Sequence, residues 1–290
     1  MNLTIDKCVL PAAEELEQED KWVLSKLNSL VKEVTENLDS YEIGVASAKV
    51  YDFIWDTYCD WYIELTKTRM NGEDQASRLV AENVLCYVLT EVLKLLHPFM
   101  PFITEEIWQA LPHSGEYLMT AQWPEYREEL NFPAEADAME AVMDTIKAIR
   151  VRRAEMNVPP SKKAEITLVT AEPVVYQQAA HFITRLAYAE KVVITDKAPE
   201  DLSGLVNIVT RKANAYIPLA ELVDFKAELE RIAKELEKAR NGLRITENKL
   251  KNEKFVANAP EAVVNAEREK AAKYSERIAK LEESAKPMQG

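Results

Sequence analysis

Glycine is scarce in this 290-residue chain, with 6 in all. Loops that cradle phosphate with backbone N–H groups need glycines at close spacing. Walker-type and dinucleotide-binding loops are therefore excluded. Histidine is scarcer still: His97, His113 and His181 are the whole set. A di-metal carboxylate centre in a helical bundle needs Glu-x-x-His pairs, and none of the three has an acid three residues before it. The cysteines, Cys8, Cys59 and Cys86, are odd in number and widely spaced, which argues for a reducing cytoplasm and against a disulfide framework or zinc site. Cys59 lies on an aromatic helical stripe and reads as core rather than as half of a Cys–His nucleophilic pair. No apolar run reaches about 18 residues, and no charged-then-apolar leader opens the chain. No nucleophile elbow is present. The residues display no catalytic machinery.

Charge is unevenly spread. Of 36 basic and 49 acidic side chains, residues 221–290 hold 15 and 14, which leaves 21 and 35 in the first 220. The net charge of −13 is thus a property of the front part. Phosphate responds to local potential within about 8–10 Å, so an acidic average does not exclude nucleic acid.

What the chain does have is a leucine heptad. Leu222, Leu229, Leu236, Leu243 and Leu250 recur every seventh residue, with Phe225, Ile232 and Ala239 three later. That is the seam of a coiled coil. Ala271, Tyr274, Ile278, Leu281 and Ala285 repeat it less strongly, after a break at Asn258-Ala259-Pro260. Residues 221–285 therefore read as two long helices folded back on each other, the first about 50 Å long at 1.5 Å per residue. A narrow seam on such a lever is built for reach.

Upstream, helical periodicity predicts a bundle. Asp20 reads as the N-cap of a helix to Leu38. A second helix covers Tyr41–Met70, with Tyr51, Trp55, Cys59 and Tyr62 on one face and Ile54, Tyr58, Trp61 and Leu65 beside them; this aromatic stripe reads as core rather than as a base-stacking platform. A third runs from Asp74 to Leu96, stopped by Pro98 and Pro101. A short helix starts at Thr104, its Glu105 and Glu106 explained by the helix dipole. Pro133–Met156 is the last. The period then changes to that of strands at Ala164–Thr170, Lys191–Thr195, Leu205–Arg211 and Ala215–Leu219, with a helix over Pro173–Ala189. The fold class is mainly α: a helical bundle (1–157), a small α/β module (158–220) and a long antiparallel coiled-coil hairpin (221–290).

Two basic clusters are candidate phosphate contacts. Lys147, Arg150, Arg152, Arg153, Lys162 and Lys163 oppose only Glu155 and Glu165 at a helix end that spills into a Pro-Pro joint. Lys238, Arg240, Arg244, Lys249, Lys251 and Lys254 outnumber their acidic neighbours in the far half of the first long helix. Cations at a helix C-terminus and a solvated outer face are the alternative, purely structural readings.

Several segments resemble the C-terminal region of bacterial valyl-tRNA synthetases. Asp20-Lys21-Trp22-Val23-Leu24-Ser25-Lys26-Leu27-Asn28, Tyr51-Asp52-Phe53-Ile54-Trp55, Cys59-Asp60-Trp61-Tyr62-Ile63-Glu64 and Leu96-His97-Pro98-Phe99-Met100-Pro101-Phe102-Ile103-Thr104-Glu105-Glu106-Ile107-Trp108 are similar to bundle helices of synthetases for branched aliphatic amino acids. Arg153-Ala154-Glu155-Met156-Asn157-Val158-Pro159-Pro160-Ser161-Lys162-Lys163 and Asn252-Glu253-Lys254-Phe255-Val256-Ala257-Asn258-Ala259-Pro260-Glu261-Ala262-Val263-Val264 narrow the likeness to the valine enzymes. The resemblance covers essentially the whole chain. It implies tRNA(Val) as partner, the anticodon stem-loop gripped by the bundle and the outer corner of the tRNA touched by the coiled coil, in a cytoplasmic protein without membrane contact. The HIGH and KMSKS signatures and the editing domain do not occur in these residues, so ATP and Mg are expected to belong to a catalytic domain elsewhere, and this chain carries no cofactor. Met1-Asn2-Leu3 is similar to an internal point of the family sequence. A bundle helix that precedes it in the family is then missing, and the groove left behind invites self-association, whereas the full-length enzyme is expected to be a monomer. The rival readings are a coiled-coil scaffold that pairs with another protein and a stand-alone enzyme with an unrecognised bundle site.

Overall fold

The computed structural model describes residues 4–222, 225–251 and 260–285. Lys254, and Asn258 and Ala259 of the expected turn, lie outside the described residues. The chain is mainly helical with one small mixed sheet.

Helix α1 (Gln18–Asp39), with Glu17 at its N-cap, starts three residues before the expected place. Asp20 is not its N-cap but its third residue, and its Oδ2 accepts the N–H of Glu17 at 3.1 Å. An acid in the first turn carries the same sequence signal whether it caps from outside or reaches back from within. Asp20 is also fully buried, because a second demand fixes it there. Its carboxylate accepts the Tyr62 hydroxyl at 2.6 Å and the Arg69 guanidinium at 2.9 and 2.8 Å. Glu19, 4% exposed, accepts from the same guanidinium at 2.9 Å. Burial, and then the neighbouring Asp20, raise the Glu19 carboxyl to about 7.

The second helical stretch runs from Ile43 to Met70 in three parts: α2 (Ile43–Asp52), a π-helical segment (Phe53–Tyr62) and α3 (Ile63–Met70). Widening the turn rotates every later side chain relative to a 3.6-residue repeat. The expected single aromatic face is therefore split. Phe53, Tyr58, Trp61 and Tyr62 are buried, whereas Tyr51 and Trp55 stand 60% and 52% exposed. The Tyr58 hydroxyl, desolvated by this packing, donates to the Leu85 carbonyl at 2.9 Å. That carbonyl belongs to α4 (Gln75–Leu96), which Asp74 caps by accepting the N–H groups of Ala76 and Ser77.

Helix α5 (Pro101–Gln109) begins at proline rather than at Thr104, since proline's missing N–H costs nothing at a first position. Thr104 is buried inside it and its hydroxyl donates to the Met100 carbonyl at 2.8 Å. Glu105 serves the next loop rather than the helix dipole, accepting the Leu118 N–H at 2.9 Å. Helix α6 (Pro133–Glu155) packs along α1. It ends in a Schellman turn: Asn157, at φ 54°, donates to the Ala154 carbonyl and Val158 to that of Arg153. Such a turn wants a residue that tolerates the left-handed region.

Four strands follow, β1 (Ala164–Thr170), β2 (Ala189–Thr195), β3 (Leu205–Val209) and β4 (Ala213–Pro218). They lie in the order β2-β1-β4-β3, with β1 and β2 parallel and the other two pairs antiparallel. The single helix expected between β1 and β2 is two short ones, α7 (Pro173–Gln178) and α8 (Ala180–Leu186). Alternate residues of β1 are buried beneath them, and Tyr176 and Phe182 join Ile146 and Ile149 of α6 in one apolar cluster. Bundle and sheet thus share a continuous core. Helix α9 (Leu219–Leu222) leads on to α10 (Phe225–Lys251) and α11 (Glu261–Ala285). Lys249 meets Glu267, Gly242 meets Tyr274 and Arg240 meets Glu282. As one number rises the other falls, so the two helices run in opposite directions side by side.

Candidate nucleic-acid interface

The six cations around the end of α6 do not form one patch. Successive residues turn by about 100° on a helix, so Arg152 stands about 140° round from Lys147. Lys147 and Arg150 share a face and line an open groove with Asp60, Trp61, Glu64 and Arg185. The Lys147 ammonium sits over the Trp61 ring, 5.3 Å from its centre. Arg152 turns away and pairs with Glu155 at 3.1 Å. Lys163 is exposed and Lys162 half-buried.

Arg153 corrects the sequence reading. It is 2% exposed and out of reach of any phosphate. Its Nη2 donates to the Pro159 carbonyl at 3.2 Å and to the Lys162 carbonyl, and its guanidinium lies 5.7 Å from the Tyr188 ring centre. Desolvation lowers its pKa. The residue ties the Pro-Pro joint to α6. In sequence it looks like its neighbours; only its face on the helix separates it.

On α10 the described cations flank the apolar seam on both sides. Ile232, Ala239 and Thr246 are buried along the seam of α10, as are Val264 and Glu267 along that of α11. Lys238 and Lys249 fall on one side of it, Arg240, Arg244 and Lys251 on the other. Arg240 pairs across to Glu282 at 2.6 Å, Lys249 to Glu267 at 3.5 Å, and Arg244 donates to Asn241 on its own helix at 2.9 Å. The described cations of the candidate cluster on α10 are therefore divided between two edges of the arm.

Tyr51 and Trp55, expected in the core, stand at the surface. Their rings lie 6.2 Å apart and tilted by 53°, with Asp52 and Asp56 interleaved. No periodicity announces this, because the π-helical segment that re-phases the face is a tertiary outcome. Among the described residues no group of three or more His, Cys, Asp or Glu could hold a metal ion. No helix among them is long and apolar enough to cross a membrane.

Sequence comparison agrees with this architecture. Residues 20–168 match the family described as the anticodon-binding domain of tRNA ligase, and the chain belongs to that family. Residues 224–289, which include α10 and α11, match the valyl tRNA synthetase tRNA binding arm. Valine–tRNA ligase of Clostridium acetobutylicum is 43% identical over 288 residues, 97% of this chain and 32% of that protein. The valine–tRNA ligase of Carboxydothermus hydrogenoformans is 44% identical over 261 residues, 89% of this chain and 29% of that protein. That of Bacillus cereus is 42% identical over 263, or 89% and 30%. The chain spans about a third of the length of the curated relatives it matches, in their C-terminal part.

Proposed function

We infer that this chain is the tRNA-binding part of a valine–tRNA ligase, acting in the cytoplasm on tRNA(Val). Residues 1–157 take the anticodon stem-loop, 158–220 brace the joint, and 221–290 form a long antiparallel coiled-coil hairpin that leans on the outer corner of the tRNA. One observation carries the reading: a bundle matched to anticodon-binding domains and a long two-helix arm matched to a tRNA-binding arm occur on a single chain. Two contacts far apart on one rigid RNA raise effective concentration, so each can be weak. Lys147, Arg150, Lys162 and Lys163 are the proposed phosphate contacts at the bundle exit. Valine activation, with its ATP and Mg, is assigned to a catalytic domain beyond these residues, and the role of this part is to orient the tRNA so that its 3′ end reaches the adenylate.

The test is a gel-shift titration of the chain with tRNA(Val) and one unrelated tRNA at two salt concentrations. Neutralising several phosphates releases counterions, so affinity should fall steeply with salt. A scaffold that pairs through an apolar seam would bind without that slope, and an affinity flat in salt would reject the tRNA reading.

A further inference from the structure

We propose that the two-helix arm presents one edge, not both, to nucleic-acid phosphates, and that the return helix supplies most of it: Lys238 and Lys249 of α10 with Lys270, Lys273 and Arg277 of α11. This rests on the tRNA-binding reading above and adds which side of the arm does the work.

The geometry follows from the ion pairs. At about 100° per residue, Lys238 and Lys249 lie on the same side of the α10 seam as Glu235. Arg240, Arg244 and Lys251 lie on the opposite side. Lys270, Lys273 and Arg277 share one side of the α11 seam; Arg268 and Glu282 share the other. Arg277 meets Glu235 at 3.2 Å, whereas Arg240 meets Glu282 at 2.6 Å. Those two contacts fix which side of α11 adjoins which side of α10, as antiparallel packing requires.

Counting the described side chains on each edge then separates them. The first edge holds Lys238, Lys249, Lys270, Lys273, Arg277 and Lys280 against Glu235 and the seam residue Glu267. The second holds Arg240, Arg244, Lys251 and Arg268 against Glu237, Glu247 and Glu282. Six cations against two carboxylates leave a clear surplus; four against three leave almost none. On the second edge, moreover, α11 contributes only Ala272, Ser275 and Ala279 between its charged ends. Charges within a Debye length of about 8–10 Å sum into the potential a phosphate meets, so the first edge is the attractive one.

Glu267 makes this edge ordered as well as positive. It is 7% exposed and accepts from Lys270 at 3.0 Å and Lys249 at 3.5 Å. Lys270 chiefly, with Lys249, holds the carboxyl below its ordinary range. One carboxylate thus anchors a lysine from each helix at one level of the arm. Lys238 and Arg277 form a second level 11 residues away along α10, about 16 Å, with Lys273 between. Helix axes 8–10 Å apart set the width. A stiff strip of those dimensions fits the backbone of folded RNA, which is recognised by shape and phosphate position more than by base edges.

Two charge-matched variants of the full chain decide the matter, titrated with a transcript of tRNA(Val) over a range of salt. Lys238→Glu/Lys270→Glu/Lys273→Glu should weaken binding at least tenfold and flatten the dependence of log affinity on log salt. Arg240→Glu/Arg244→Glu/Lys251→Glu should change affinity less than twofold. Glutamine at the same three positions of the first edge, with helicity checked by circular dichroism, separates lost contacts from lost folding and should still weaken binding. The edge assignment is overturned if the second variant weakens binding as much as the first, or if the first leaves it unchanged. Should the unaltered chain show no salt-dependent affinity for the transcript, the tRNA reading itself falls, and this proposal with it.

Discussion

Replacing Glu19 by glutamine should make the protein more stable at alkaline pH and leave it unchanged in acid. The structure gives the size of the effect. Glu19 is buried beside Asp20, and both carboxylates share Arg69. Desolvation and then the Asp20 charge outweigh the attraction of Arg69 and lift the Glu19 carboxyl from 4.5 to about 7. A folded-state value above the unfolded one means the native protein binds the proton more tightly. Stability from this source is complete below about pH 4.5 and declines as pH rises to about 7. At about 1.4 kcal/mol per decade of difference in proton affinity, the loss amounts to about 3 kcal/mol. Glu19→Gln stays neutral throughout and keeps an oxygen for Arg69, which retains both bonds to Asp20. Urea unfolding followed by the fluorescence of buried Trp22 and Trp61, at intervals from pH 4.5 to 8.5, reads the difference directly. The two stability curves should meet near pH 4.5 and diverge by about 2–3 kcal/mol at pH 8, with the variant above. Parallel curves would show that Glu19 is ionised in the folded protein across the range, and the argument from its burial would be wrong.

Arg153→Met should cost about 2–4 kcal/mol in chemical denaturation, because it strands the Pro159 and Lys162 carbonyls, while tRNA affinity of the folded protein stays within twofold. A loss of affinity in fully folded protein would return Arg153 to the interface. Gly242→Ala should lower the melting temperature of the arm: a Cβ there lies 2.6 Å from the Tyr274 ring, and overpacking of about 1–3 kcal/mol exceeds the helix-propensity gain of about 1 kcal/mol. In a Tyr274→Ala background the same change should stabilise by about that gain; a loss there would refute the steric explanation. Lys147→Glu/Arg150→Glu should weaken tRNA binding by about tenfold or more at low salt and progressively less as salt rises, measured by gel shift.

The helices of the bundle were legible because each buries a stripe that repeats every 3.6 residues, and because Asp74 and the prolines at 101 and 133 punctuate them. Strand positions β1 and β2 were legible from runs of β-branched residues. The start of α1 was misplaced since an acid such as Asp20 signals a first turn without saying where in it. Glu105 was misassigned because its partner, the Leu118 N–H, comes from a loop that no local pattern describes. Tyr51 and Trp55 differ from the reading because the π-helical stretch Phe53–Tyr62 interrupts the repeat that put them on one face with the buried Tyr62. Lys238, Arg240 and Lys249 look alike in a list of charges; Glu267 and Glu282, donated by another helix, make them different.

Periodicity is a property of one element, so the sequence alone determined which segments are helices and strands and which stripe of each must leave water. It also carried the kinship, since that is written in residue order. What stands opposite each stripe is a relation between elements distant in the chain, and only tertiary packing decided it. That packing buried Arg153 among carbonyls and left Lys147 over Trp61. It also divided the cations of the long helices between an edge with surplus positive charge and one nearly neutral, because an electrostatic potential sums over neighbours in space, not in sequence.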